Sequence, residues 1–139
     1  MAHKVTANWQ GGMEFKADTG SGSVSLDAAK EFGGQNNGLR SKPLMLTALA
    51  GCTAMDVSSL MHKMRLDVEH FEVVVEAEIT EEHPKVYTKV HVIYNFSGLQ
   101  LNEEKLTRAV ELSFDTYCGV IAMFKQFADV SYEINYRKG

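Results

Sequence analysis

Pro43-Leu-Met-Leu-Thr-Ala-Leu-Ala-Gly-Cys-Thr-Ala-Met-Asp-Val57 is a run in which nearly every residue is apolar or small. Leu44, Leu46, Leu49, Cys52, Met55, Leu60 and Met64 recur at roughly helical spacing, so the run continues as a helix to about Arg65. Ala48, Ala50, Gly51, Thr53 and Ala54 occupy much of the remaining circumference. A helix that is apolar or small all round is buried on more than one side. Interruptions by Thr, Asp and Ser, and its length, argue against a membrane span. The expectation is a helix at the centre of a core, with a thiol midway along it. Gly51, next to that thiol, costs about 1 kcal/mol relative to Ala in a helix interior. Close approach by another helix or by a ligand is a physical reason to keep it.

Working outward, Ser41 can cap this helix, Pro43 suits its first turn, and Lys63 and Arg65 suit its last. Asp27 to Arg40 is a Gly- and Asn-rich loop, either mobile or functional at that length. Its glycines match no phosphate-binding motif, since Lys42 lacks a following Ser or Thr. Upstream, His3–Trp9, Met13–Ala17 and Ser23–Leu26 alternate as three short strands around Gly-rich turns. Downstream, Val68–Thr80 and Lys85–Phe96 read as a long hairpin, with Val86, Thr88 and Val90 on one face and Tyr87 and Lys89 on the other. Glu residues on one strand can pair with Lys on the other. Asn102 can cap a second helix, interrupted at Tyr117-Cys118-Gly119 and resumed over Val120–Phe127, before a closing strand at Val130–Tyr136.

The order βββ-α-ββ-α(α)-β is α+β with antiparallel sheets, in one domain over residues 1–139. The strands cover only one side of the central helix. A second helix can cover part of the rest, and burial against the same helix of a second copy is the simplest way to finish it, so a homodimer is expected.

The chain's 139 residues suffice for a real core. A net charge of −4 offers no electrostatic reason to bind nucleic acid or an anionic membrane. Met-Ala-His-Lys-Val-Thr-Ala-Asn-Trp9 has no apolar signal region, so a cytoplasmic location is expected, where a permanent disulfide is disfavoured. Cys52 and Cys118 are the two cysteines, 66 positions apart and therefore no CxxC motif. They read either as inert packing or as a reactive pair. Cys118, where the second helix can restart, meets the unpaired N–H groups that stabilise a thiolate. His62, His70, His83 and His91 show no metal-ligand spacing, and no metal is expected. Asp56 shares a helix face with Cys52; it is read as capping a neighbour or facing a polar pocket, because a close carboxylate disfavours a thiolate.

Leu-Met-Leu-Thr-Ala-Leu-Ala-Gly-Cys-Thr-Ala-Met-Asp-Val57, a long hairpin, and Tyr-Cys-Gly-Val-Ile-Ala-Met-Phe124 together resemble the OsmC/Ohr family, the osmotically inducible and organic hydroperoxide resistance proteins. The resemblance covers essentially the whole chain and is greatest to the OsmC-like branch. It implies an intertwined homodimer in which two central helices pack back to back within sheets from both subunits. It also implies a cofactor-free peroxidase driven by an external thiol or dithiol, with Cys52 peroxidatic and Cys118 resolving. The two must then meet in space despite their separation. The family also uses an Arg to stabilise the thiolate and a Glu near the helix start to hold it. Arg40 stands nearest for the Arg. The Glu is absent, since no carboxylate lies between Glu31 and Asp56, leaving Glu31 as the substitute partner. Gly119 stands where many relatives have Pro.

The resulting expectation is a thiol-dependent reductase of organic or hydrogen peroxides. Met45, Met55, Phe114, Met123 and Phe124 are candidates for an apolar substrate pocket. The alternatives are a non-enzymatic dimer that binds a small ligand, or a redox sensor acting through a partner.

Overall fold

The computed structural model describes residues 1–139, which pack as two compact units, Met1–Met45 and Leu46–Gly139. In the first unit, β1 (Thr6–Gly11), β2 (Glu14–Asp18) and β3 (Ser23–Leu26) form an antiparallel sheet in that order. The registers Ala7↔Ala17, Trp9↔Phe15, Ala17↔Val24 and Phe15↔Leu26 collect one apolar face. Of those six residues only Ala17 is buried, and Trp9 is 67% exposed. This sheet face has little cover within one chain.

The loop after β3 is organised by one carboxylate. Asp27 Oδ1 accepts from the Ala28 N–H at 2.8 Å, and Oδ2 accepts from Gln35 and Asn37 N–H, each at 3.0 Å. These donors, Asn37 first, hold the Asp27 pKa below its ordinary value. Gly34 and Gly38 are required here, because a Cβ would lie 2.0 Å from the Ala28 carbonyl oxygen or 2.6 Å from that of Ser25. This connector is a built turn, which includes a 3-10 segment at Lys30–Phe32.

α1 (Pro43–Lys63) follows. At 21 residues, with a mean hydropathy of 1.4 over its most apolar 18-residue window, it is long and apolar enough to cross a membrane by length and composition, which corrects the expectation that it is too short. One face is nevertheless built into the core of the second unit, through Leu49, Thr53 and Val57. The all-round burial expected of this helix is not reached within one chain. Met55 is 74% exposed, and a Cβ at Gly51 would meet nothing within 4 Å. The helix ends with Arg65 in the left-handed region (φ 57°). Arg65 N–H donates to His62 O and Leu66 N–H to Met61 O, the two bonds of a Schellman cap.

The second sheet has the order β4 (His70–Ile79), β5 (Tyr87–Ser97), β6 (Asp129–Arg137). β4 and β5 are antiparallel, with Glu78 opposite Lys89. β6 joins β5 in parallel, Lys89↔Asp129 through Ser97↔Arg137, so this sheet is mixed, not purely antiparallel. The reason is the crossover: α2 (Glu103–Leu112), a π turn at Ser113–Tyr117 and α3 (Gly119–Phe124) carry the chain back to the starting end of β5. A bulge between Glu78 and Ile79 sets Ile79 opposite Tyr87 and leaves Thr88 extra. Tyr87 therefore turns inward with Val90, Val92, Tyr94 and Phe96, instead of outward as alternation alone predicts. Asn102 caps α2 as expected, Oδ1 accepting from Lys105 N–H at 3.1 Å.

Candidate active site

Cys52 sits midway along α1, half-buried, four residues before Asp56 on the same helix face. Cys118 arrives from the crossover. The π turn ends with Cys118 N–H donating to Ser113 O at 2.8 Å, and Cys118 then caps α3, its Sγ accepting from Ile121 N–H at 3.4 Å. A single π turn inside a helical segment recurs at functional sites. The two sulfurs and an Asp56 carboxylate oxygen all lie within 4.8 Å of one another, and both thiols are free. Residues remote in sequence thus share one small site, as a reacting pair requires.

The electrostatics divide the two thiols. Cys118 is 3% exposed, and burial pushes its pKa up to about 12. The Ile121 N–H opposes that shift and the neighbouring Cys52 sulfur adds to it. Its helix-start position was expected to favour the thiolate; desolvation outweighs the cap, and Cys118 remains a thiol at neutral pH.

Asp56 takes the second of its two expected places, facing a polar cleft. It does not cap a neighbour but lies beside both sulfurs, and it also lines a cleft of about 350 Å³ with Ser59, Leu60, Lys63 and Tyr117. A chain of buried hydroxyls leads to it. Ser113 Oγ donates to Asp56 Oδ2 at 2.9 Å, Ser113 Oγ and Thr53 Oγ1 are 2.8 Å apart, and Thr53 Oγ1 and Tyr94 OH are 2.6 Å apart. With Asp56 as a carboxylate that can only accept, each hydroxyl has one donor to give. Tyr94 therefore donates to Thr53, Thr53 to Ser113, and Ser113 to Asp56. Burial raises the Tyr94 pKa to about 12, which keeps the head of this chain protonated. Sequence reasoning missed the relay, because Thr53, Tyr94 and Ser113 share no spacing; the helical pairing of Cys52 with Asp56 was its one visible sign.

Arg40 and Glu31 belong to the first unit. Arg40 directs its guanidinium into its own loop, donating to Gly38 O at 2.9 Å, to Asn36 Oδ1 and to Asp27 O. Glu31 is exposed on the 3-10 turn and is not among the partners of Arg40, so the substituted Arg–Glu pair is not formed. Of the apolar residues expected to line a pocket, Phe114 and Phe124 are core instead. Phe114 packs on Tyr132 with centroids 4.6 Å apart, and Phe124 packs on Phe127 at 4.9 Å. Met55 and Met123 are exposed.

The family profile described as OsmC-like protein matches residues 34–133. Protein YhfA of Escherichia coli K12 is 32% identical over 135 residues, covering 94% of this chain and 97% of YhfA. A hypothetical protein from Aquifex aeolicus VF5 superposes with a TM-score of 0.80 at 26% identity, over 98% of both chains. The organic hydroperoxide resistance protein OhrB of Bacillus subtilis shares the fold, with a TM-score of 0.67 at 17% identity over 97% of this chain and 98% of that one. On the extent of these matches, the chain belongs to the OsmC-like protein family.

Proposed function

We propose that this protein is a homodimeric, thiol-dependent peroxidase. The observation that carries the reading is the meeting of Cys52 and Cys118, 66 positions apart in sequence, with both sulfurs free and beside one carboxylate. Cys52 thiolate attacks one oxygen of a hydroperoxide, the O–O bond breaks, and the departing alkoxide takes up a proton to leave as alcohol. Cys52 is left as a sulfenic acid. Cys118 then attacks that sulfur, water leaves, and a disulfide forms. An external dithiol reduces it by exchange, becoming oxidised itself. Asp56 is the carboxylate beside both thiols, and the Ser113 donor holds it in place. The substrate class is organic or hydrogen peroxide, the setting cytoplasmic. The uncovered faces of α1 and of the first sheet are the surfaces a second copy would bury.

The test is peroxide consumption with a dithiol reductant. We expect Cys52→Ser to abolish turnover and Cys118→Ser to leave Cys52 advancing to sulfinic acid. Equal rates for wild type and Cys52→Ser overturn the proposal. The absence of the helix-start Glu favours a second reading, a non-enzymatic ligand-binding dimer, for which neither thiol reacts with an alkylating reagent at neutral pH.

A further inference from the structure

We propose that Cys52, Cys118 and Asp56 form a Zn²⁺ site, a three-ligand centre with one open position, whose occupation and the Cys52–Cys118 disulfide exclude each other. Two sulfurs and a carboxylate oxygen are a donor set for a borderline-soft ion, not for Mg²⁺ or Ca²⁺, which take oxygen. Zinc binds sulfur at about 2.3 Å and carboxylate oxygen at about 2.0–2.2 Å, and a tetrahedral arrangement then separates its ligands by roughly 3.5–3.8 Å. With all three atoms within 4.8 Å, closure on the ion needs movements of at most about 1.0–1.3 Å per pair.

The surroundings of the donors are those of a supported site. Metal-binding side chains are oriented by hydrogen bonds from groups behind them. Ser113, fully buried, donates to Asp56 at 2.9 Å, and Thr53 and Tyr94 hold Ser113 in that direction. The Ile121 N–H points at the Cys118 sulfur and compensates charge on it. The carboxylate keeps lone pairs beyond the one Ser113 uses. The ion reaches the donors from the side of Cys52 and Asp56, neither of which is fully buried.

The inference uses the residues of the proposed peroxidase site but not its chemistry. A bound ion occupies both sulfurs and removes them from attack on peroxide; oxidation to the disulfide removes both thiolates and releases the ion.

The test uses the whole reduced chain, stripped of metal, with Zn²⁺ and Co²⁺ alone as probes. We expect one Zn²⁺ per chain, held in competition with a chromophoric chelator. Co²⁺ should give a thiolate-to-cobalt charge-transfer band that weakens in Cys52→Ser and in Cys118→Ser. Asp56→Asn should keep that band while affinity falls at least about tenfold, and Ser113→Ala should lower affinity by about tenfold. A stoichiometry well below one, no charge-transfer band, or wild-type affinity in Asp56→Asn overturns the inference. Should Asp56→Asn fail to fold, Cys52→Ser at its half-buried position carries the test alone. Metal uptake is read without peroxide. A chain that holds Zn²⁺ but consumes no peroxide keeps this inference and ends the peroxidase reading, and the reverse result ends this inference alone.

Discussion

The hydroxyl of Thr53 accepts from Tyr94 and donates to Ser113, so its removal strands groups on both sides. Thr53→Val should destabilise the protein by about 2–3 kcal/mol, since it leaves a buried phenol without an acceptor and Ser113 without a donor. Tyr94→Phe, which deletes only the head of the chain, should cost about 1 kcal/mol. Urea midpoints of the two variants, measured side by side, check the order. A second prediction concerns alkali. The pKa of Cys118 rises from an ordinary 9.0 to about 12, and that of Tyr94 from 10.0 to about 12. Both groups hold their protons in the folded state at a pH where the unfolded chain has lost them. Their contribution is therefore complete below pH 9 and declines as pH climbs toward 12, at a limiting slope of about 1.4 kcal/mol per pH unit for each group. Denaturation curves at rising pH should show that decline, and Cys118→Ser should flatten its first part. At this scale the cysteines were legible, because a Gly-Cys-Thr step in a small-residue helix and a Tyr-Cys-Gly break are local patterns. The hydroxyl chain was not, since Thr53, Tyr94 and Ser113 come from three elements and each alone reads as ordinary core.

Arg65 closes α1 in a left-handed conformation that an L side chain tolerates poorly. Arg65→Gly should therefore stabilise the protein by about 0.5–1 kcal/mol, part of the gain being offset by the greater freedom of glycine in the unfolded chain. The thermal midpoint reads the change. The order of elements was legible from periodicity and capping residues: Asn102 before Glu103 and Glu104 announces α2, and the Val-rich alternation announces β4 and β5. Two features escaped. The Thr88 bulge shifts an alternation by one residue, and only the pairing strand reveals it. The direction of β6 was lost because alternation along a strand is the same whether its neighbour runs with it or against it. The long helical segment between β5 and β6 was the available signal, since parallel neighbours need such a crossover.

For the molecule as a whole, the apolar circumference of α1 was read correctly as composition but exceeds what one chain buries: Leu49, Thr53 and Val57 are inside and Met55 is not. If a second copy packs on that side, as proposed, Met55→Glu should shift the protein toward monomer in analytical ultracentrifugation. Gly51 gives a test by sign. In an isolated chain a Cβ there meets nothing, and Gly51→Ala would stabilise by about 1 kcal/mol through helix propensity. In a dimer with close helix contact we expect the same substitution to weaken association. The placement of β6 carries a consequence for biosynthesis. The crossover that holds Cys118 hangs between two neighbouring strands, and the second of them, Asp129–Arg137, is made after everything else in the sheet. A nascent chain still on the ribosome can build α1 and the β4–β5 ribbon, but it has nothing yet on which to latch the far end of that bridge. The segment bearing Cys118 therefore gains its second anchor in the sheet only once the last strand has been made.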